Sequence, residues 1–138
     1  MAEKPIVNPT IVAVFSARED RTSLARIFAR SNWKLRFARA LPQTKTLLSK
    51  SPVGVVISEA CLSDGRCWKD LLNEIQKMED PPPLIVADRL ADERLWAEVL
   101  NLGAYDLLAK PFDAREVLHA VTTACRRSET RAMQASNA

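Results

Sequence analysis

The sequence predicts an α/β fold, in which a single parallel sheet is covered by helices on both faces. Short apolar runs alternate with amphipathic stretches five times along the chain, and the connections between them are short. The runs at residues 11–15 and 53–57 are rich in β-branched side chains and lack helical periodicity. Continuous apolar strands of this kind are typical of a parallel sheet that is buried on both faces. With 138 residues, the chain is long enough for one compact core and too short for two ordinary domains.

The ten predicted elements alternate strictly between strand and helix. In chain order they occupy residues 11–15, 17–30, 34–39, 42–50, 53–57, 68–78, 84–87, 92–102, 105–109 and 113–127. The first helix begins at a capping box, in which Ser16 and Glu19 each accept a hydrogen bond from the other's backbone N–H group. Residues 34–39 alternate polar and apolar side chains, which predicts a half-exposed edge strand.

The later helices are bounded by residues that start or stop helices. Pro42 suits the first turn of the second helix, and the proline run at residues 81–83 ends the third. Gly103 is a typical C-terminal cap for the fourth helix, and Asp113 caps the N-terminus of the fifth. These residues therefore set predicted boundaries for the second to fifth helices.

One domain is expected over residues 9–127, preceded by an N-terminal extension at residues 1–8 and followed by a tail at residues 128–138 that is expected to fray. No apolar run approaches the roughly 20 residues that a membrane helix needs. The first residues lack the charged-then-apolar layout of a secretory signal. The sequence therefore predicts a cytoplasmic protein without a membrane partner.

Charge is unevenly distributed, although the formal net charge is only +3. Residues 1–50 contain ten Lys and Arg against three acidic residues, whereas residues 51–138 contain ten against fourteen. This asymmetry predicts an electrostatic face for some partner. It is far weaker than the basic surface of a typical nucleic-acid-binding domain, and no helix-turn-helix follows residue 127. Nucleic acid is therefore not an expected partner.

The residue types that bind metals or act as nucleophiles are scattered. Cys61 and Cys67 are six positions apart, Cys125 lies far from both, and metal-binding spacing such as C-x-x-C is absent. We interpret all three as reduced thiols that pack as small apolar groups. His119, the single histidine, lies along a predicted helix without an accompanying nucleophile motif. Neither a metal site nor an enzymatic activity is therefore expected.

Functional residues are expected at one edge of the sheet, because ligand sites of open parallel sheets lie beyond the carboxyl ends of the strands. Four strand ends are the candidates. They are Phe15-Ser16, Ser58-Glu59, Ala87-Asp88 and Ala109-Lys110.

The stretch GAYDLLAKPF at residues 103–112 resembles the G-A-x-D-x-L-x-K-P-F stretch that ends the receiver domain of two-component response regulators. Residues 55–65 resemble the third strand and the following loop of the same family. The similarity covers about residues 9–127. It implies a flavodoxin-like three-layer sandwich, with five helices and a five-stranded parallel sheet of order 2-1-3-4-5. It also implies a cis peptide bond between Lys110 and Pro111.

Receiver domains carry a phosphorylation site at this edge of the sheet. An Asp at the end of the third strand accepts the phosphoryl group, and two acidic residues after the first strand hold Mg²⁺. A Thr or Ser and a Lys contact the phosphoryl oxygens, because phosphoryl transfer needs its charge neutralised. In this sequence only Lys110 and Pro111 match that pattern. The departures are Phe15 and Ser16 at the acidic pair, Glu59 at the acceptor, Ala87 at the Thr/Ser position and Leu107 at an aromatic position that often moves on activation.

Two interpretations of Glu59 remain open. In the first, its carboxylate pairs with Lys110 and mimics the charge of a phosphoryl group. In the second, the Glu59–Lys110 pair is an ordinary ion pair that contributes little where it is exposed. The first requires an element that responds to the charge, and Ala87 lacks the hydroxyl that normally does so. Glu19 and Asp20 also follow the first strand and could lean into the site, although capping explains Glu19 more simply.

The resemblance and its departures predict a stand-alone receiver-like signalling domain that acts by protein–protein contact, without conventional Asp phosphorylation and without a cofactor. The alternative is a working phosphoacceptor in a phosphorelay, which would need Mg²⁺. The implied partners are a histidine kinase, a phosphotransfer protein or a separate output protein.

Two surfaces are candidates for these contacts. Arg18, Arg26 and Arg30 lie on one face of the first helix, a region that receiver domains use to dock kinases and phosphotransfer proteins. A plain solvated face is the alternative for such a charge run. The resemblance also implies a homodimer surface formed by the fourth helix, fifth strand and fifth helix.

The fourth helix supplies the aromatic residue of that second surface. Its inner stripe is predicted to be Leu95, Val99 and Leu102, which leaves Trp96 and Leu100 on a flank. A partly exposed Trp is a good anchor for an interface. The alternative is that Trp96 folds back over neighbouring apolar surface.

Overall fold

The computed structural model describes the backbone of residues 10–137 and the side chains of residues 10–127. Five strands alternate with five helices in this part of the chain. The strands are β1 (Thr10–Val14), β2 (Lys34–Ala38), β3 (Val55–Glu59), β4 (Leu84–Asp88) and β5 (Asp106–Ala109). The helices are α1 (Arg18–Phe28), α2 (Leu41–Lys50), α3 (Trp68–Gln76), α4 (Glu93–Leu102) and α5 (Ala114–Asn137). The predicted N-terminal extension at residues 1–8 lies outside the described residues.

The five strands form one parallel sheet of order β2-β1-β3-β4-β5, which confirms the predicted flavodoxin-like topology. The central strand β3 is buried along its whole length, as its continuous apolar sequence predicts. Strand β2 lies at one edge and is exposed at three of its five positions. The sequence pattern of each strand therefore matches its place in the sheet.

Alternate side chains of each strand enter two separate apolar layers, because successive residues of a strand point to opposite faces. In β1, Ile11 and Ala13 share the first layer with Phe15, which follows the strand, and with buried residues of α1 and α5. Val12 and Val14 enter the second layer, which also includes buried residues of α2, α3 and α4. Helices therefore cover both faces, as right-handed crossovers require.

Capping residues bound α4 and α5 in three places, and the structure confirms the two predicted caps, Gly103 and Asp113. The side chain of Asp92 accepts a hydrogen bond from the backbone N–H of Leu95 at 2.9 Å, and Asp113 accepts one from Glu116 at 3.0 Å. Gly103 ends α4 in the left-handed conformation, with φ of 108°. The Lys110–Pro111 peptide bond is cis, as the resemblance implies.

The C-terminal helix is longer than predicted. Helix α5 continues to Asn137, whereas the sequence predicted an end near Arg127 and a frayed tail at residues 128–138. The physical reason is that residues 128–137 contain neither Gly nor Pro, so no residue stops the helix. Among the described helices, none combines the length and the apolar composition that crossing a bilayer requires.

Candidate functional site

The carboxyl ends of four strands, β1, β3, β4 and β5, bring the predicted site residues to one edge of the sheet. Val14 pairs with Ser58, which places Phe15 and Ser16 beside the end of β3. Glu59 pairs with Ala87 of β4, and the register of β4 with β5 brings Lys110 to the same edge. The parallel topology therefore assembles positions that are far apart in sequence.

Glu59 is bound by Ser16. Glu59 is nearly buried, with an exposed fraction of 8%. The carboxylate oxygen Oε2 accepts two hydrogen bonds, one from the Ser16 backbone N–H and one from the Ser16 hydroxyl, both at 3.1 Å. Hydrogen bonds to a charged acceptor are stronger than neutral ones, so this contact fixes the orientation of the carboxylate.

The predicted capping box at the start of α1 is therefore wrong. Helix α1 begins at Arg18, and its N-cap is Ala17, which makes no side-chain capping bond. The Ser16 hydroxyl donates to the buried carboxylate of Glu59 instead of accepting from Glu19. The physical reason is that a nearly buried carboxylate needs donors more than a solvent-exposed helix end does.

Lys110 pairs with Asp20, and the predicted Glu59–Lys110 ion pair is not the one that forms. The Lys110 Nζ atom donates to Asp20 Oδ2 at 2.7 Å. Both side chains are mostly buried, with exposed fractions of 14% and 15%. Asp20 lies in the first turn of α1, which carries its carboxylate to the end of β5. Both interpretations of Glu59 as the partner of Lys110 are therefore corrected.

Phe15 places an aromatic ring directly after the end of β1. The side chain is fully buried. Its ring packs edge-on against Phe112, with centroids 5.8 Å apart and an interplanar angle of 85°. The Lys110 ammonium lies 5.4 Å from the Phe15 ring centroid, within the range of a cation–π contact. The side chain that follows β1 therefore makes ring contacts and offers no carboxylate.

Ala87 and Leu107 complete the edge without polar side chains. Ala87 is fully buried and pairs with Glu59 on one side and Leu108 on the other. Its methyl group offers no hydroxyl to a ligand. Leu107 is half-buried and packs against the second apolar layer. Neither side chain can donate a hydrogen bond to a phosphoryl group.

The donor set at this edge does not fit Mg²⁺. This ion prefers octahedral coordination by oxygen and in receiver domains is held by acidic residues after the first strand. In this chain one carboxylate oxygen of Glu59 accepts from Ser16, the Asp20 carboxylate is neutralised by Lys110, and the Phe15 ring supplies no oxygen. Within residues 10–127, no cluster of three or more His, Cys, Asp or Glu side chains could hold a metal ion.

The three cysteines and the histidine differ in exposure. Cys125 is buried in the first apolar layer, as predicted, and His119 is exposed on α5. The interpretation of all three cysteines as packed apolar groups is wrong for Cys61, which is exposed, because the loop after β3 carries it to the surface. Cys67 is half-buried.

Two of the three predicted arginines, Arg18 and Arg26, lie in α1, and Arg30 follows the end of the helix at Phe28. Arg18, Arg26 and Arg30 are all exposed. They form a charged face that is open to solvent on the outside of the first helix layer. That exposure is compatible both with docking and with the plain solvated face that was the alternative.

The fourth helix presents its tryptophan to solvent. Trp96 has an exposed fraction of 50%, so half of its surface remains open to solvent. Next to it lies a shallow cavity of about 270 Å³ lined in part by Leu107 and Ala109.

An ion pair joins the third and fourth helices. Lys69 of α3 pairs with Glu98 of α4 at 2.6 Å, and this hydrogen bond raises the pKa of Lys69.

One prediction for this helix is wrong. Leu102 is not part of the inner stripe, because its exposed fraction is 47%. It is the last residue of α4, and the chain turns at Gly103 so that Ala104 enters the core instead. Val99 is fully buried, Leu95 packs against the same layer, and Leu100 is half-buried.

Comparison with known proteins gives one consistent family. The signal receiver domain of an HD domain-containing protein from Pseudomonas fluorescens superimposes with a TM-score of 0.85 and 27% identity, over 96% of this chain and 97% of that chain. The receiver domain of the Francisella response regulator 1452 has a TM-score of 0.78 and 19% identity, over 88% of this chain and 99% of that chain. In sequence, 91 residues are 29% identical to the response regulator protein PilR of Pseudomonas aeruginosa.

The match to PilR covers 66% of this chain and only 20% of the length of PilR. No protein-family model matches the chain. The strand order, the GAYDLLAKPF stretch and the similarity to the Pseudomonas fluorescens domain nevertheless agree. The chain therefore has the fold of a response-regulator receiver domain and is similar in sequence to proteins of that type.

Proposed function

We propose that this receiver domain signals through protein–protein contacts and does not act as a conventional Mg²⁺-dependent phosphoacceptor. The observation that carries the proposal is the pairing at the sheet edge. Ser16 binds the Glu59 carboxylate, and Lys110 binds Asp20. Glu59 and Lys110, which would accept and neutralise a phosphoryl group, are thus each engaged with another side chain. The hydroxyl that would sense the phosphoryl group is absent at Ala87.

The chemistry of phosphoryl transfer supports this proposal. The transferred group needs an in-line carboxylate, a metal ion and a cation to spread its charge. Glu59 would have to release Ser16 to attack, and Lys110 would have to release Asp20 to stabilise the product. Ala87 would not respond, because it has no hydroxyl. A fixed conformation that is read by a partner requires none of these steps.

The decisive experiment is an intact-mass measurement after incubation with Mg²⁺ and a small phosphodonor such as acetyl phosphate. We expect no phosphoryl adduct, because the site lacks the ligands that would bring metal and donor together. A conventional receiver domain with an acceptor Asp, treated in parallel, verifies that the donor is active. Glu59→Asp is the matched variant, and it is also expected to stay unmodified because Phe15 still replaces the acid.

An adduct on the wild-type protein that disappears in Glu59→Gln would contradict the proposal. It would establish the alternative function, a working phosphoacceptor. Retention of the adduct in Glu59→Gln would instead indicate modification at another residue and leave the sheet edge inactive. Both outcomes are read from the same spectra.

The remaining assignments are part of the same proposal. The domain is not an enzyme, it works in the cytoplasm, and its partner is a histidine kinase, a phosphotransfer protein or an output protein. Nucleic acid is not a partner, since the net charge of +3 is modest. Residues 9–127 form the working domain, and the exposed Arg18, Arg26 and Arg30 form one candidate docking surface.

We further propose that two copies pair through α4, β5 and α5, with Trp96 as the anchor. Trp96→Ala is expected to weaken this dimer by about 30-fold, since a central aromatic anchor contributes about 2 kcal/mol or more. Sedimentation equilibrium over a range of concentrations measures the change. Arg26→Ala on α1 is the control and should leave the dimer unchanged. A wild-type protein that stays monomeric at several hundred micromolar would refute the pairing.

A further inference from the structure

The loop between β3 and α3 closes on itself through a small antiparallel bridge, in which Cys61 lies opposite Cys67. Two backbone hydrogen bonds flank the pair, one on each side. They run from Leu62 N to Arg66 O at 2.7 Å and from Trp68 N to Ala60 O at 2.9 Å. This pattern makes the two cysteines a non-hydrogen-bonded pair, in which the Cα atoms lie about 4.5 Å apart and the side chains are close.

That geometry meets the requirement for a disulfide. Bridged cysteines have Cα atoms roughly 4.4–6.8 Å apart, and a non-hydrogen-bonded antiparallel pair falls at the short end of this range. We propose that Cys61 and Cys67 form a reversible intramolecular disulfide, so that the loop after β3 is a redox-sensitive site. The inference rests on the cysteine pair alone and does not depend on the proposed function.

The two cysteines differ in their surroundings. Cys61 is exposed, so it is the thiol that an oxidant in solution reaches. Cys67 is half-buried, and its backbone N–H donates to the Asp70 carboxylate at 2.9 Å, which holds it at the start of α3. The third cysteine, Cys125, is buried in the core on α5. The structure thus offers Cys61 one partner across the bridge.

The reaction is a thiol–disulfide exchange with a low-molecular-weight disulfide as oxidant. Cys61 loses its proton and attacks one sulfur of the oxidant, which forms a mixed disulfide and releases one small thiol. Cys67 then loses its proton and attacks the Cys61 sulfur, which releases the second small thiol. The protein gives up two hydrogens and two electrons, and the oxidant is reduced to two thiols.

The bond would constrain a loop that begins directly after the nearly buried Glu59. Cys61 is two residues beyond Glu59, and the hydroxyl of Ser63 donates to the carbonyl of Arg39 at 2.8 Å, which ties this loop to the segment after β2. Oxidation would therefore stiffen the surface beside the sheet edge. A redox signal would act there without any phosphoryl group.

Peptide mapping tests the proposal directly. The folded full-length chain is equilibrated in glutathione buffers of graded redox ratio, quenched in acid, alkylated and digested with trypsin without reductant. Trypsin cuts after Lys50, Arg66 and Lys69, so Cys61 and Cys67 fall in different peptides. We expect peptides 51–66 and 67–69 to appear joined by a disulfide in oxidising buffers and to separate fully in reducing ones.

Matched variants define the partners. Cys67→Ser is expected to abolish the joined peptides and to remain folded, because serine suits a helix N-cap. Cys125→Ala is expected to leave them unchanged. Three outcomes would overturn the inference: glutathione on Cys61 with Cys67 fully alkylated, a disulfide-linked dimer on a non-reducing gel, or a bond to Cys125. The first and third outcomes give distinct peptide masses in the wild-type digest and the second gives a distinct chain mass on the gel, so the result does not depend on any variant folding.

Discussion

Replacing Phe15 with alanine is expected to lower the free energy of unfolding by about 3–5 kcal/mol. Phe15 is fully buried in the first apolar layer, packs edge-on against Phe112 and lies beneath the Lys110 ammonium. Truncation would remove the ring from all of these contacts and leave a cavity in a tightly packed region. Urea unfolding followed by circular dichroism measures the change.

Phe37→Ala is the control for this prediction. Phe37 lies on the edge strand β2 and has an exposed fraction of 36%, so its truncation should cost clearly less than that of Phe15. Phe15→Leu, which keeps most of the apolar volume, should cost less than about 1.5 kcal/mol. Equal costs for Phe15→Ala and Phe37→Ala would show that Phe15 is not a core residue, and the explanation of this position by packing would fail.

Breaking the Lys110–Asp20 pair is expected to have the second largest effect. Lys110→Met should lower the free energy of unfolding by about 1–3 kcal/mol, because it leaves the Asp20 carboxylate mostly buried without its cation. This range lies below that of a fully buried pair, since the side chains keep exposed fractions of 14% and 15% and water screens them in part. Chemical denaturation gives the value.

A pair of double-mutant cycles identifies the partner of Lys110. Lys110→Met combined with Asp20→Asn should cost less than the sum of the single changes, with a coupling of about 1 kcal/mol. Lys110→Met combined with Glu59→Gln should be additive to within about 0.5 kcal/mol. If the coupling appears with Glu59 instead, Lys110 is the partner of the acceptor position in solution and the arrangement at the sheet edge is different.

The order of the elements could be predicted because it depends on local patterns. Continuous apolar runs identify buried strands, and Asp92, Gly103 and Asp113 mark helix ends through contacts within four residues. The observed boundaries differ slightly from the predicted ones, for example in β3, which begins two residues later than predicted. The larger error, the end of α5, arose where no stop signal exists in the sequence.

The contacts of the site could not be predicted in the same way. Ser16 had a local partner in Glu19 that satisfied every sequence rule for a capping box. The alternative partner, Glu59, is 43 residues away and becomes its neighbour only when β1 and β3 pair. Cys61 and Cys67 likewise lack a recognised spacing, and their apposition depends on the loop that the bridge closes.

The sequence by itself determined which side chains occupy the carboxyl edge of the sheet, among them Phe15, Ala87 and Lys110. Only the tertiary structure decided how those side chains pair. Lys110 is 90 residues from Asp20 in the chain, and a hydrogen bond between them depends on how α1 is placed against β5. A charged group that is mostly shielded from water pairs with the opposite charge that lies within a few ångströms of it, and the fold sets the distance between the two groups.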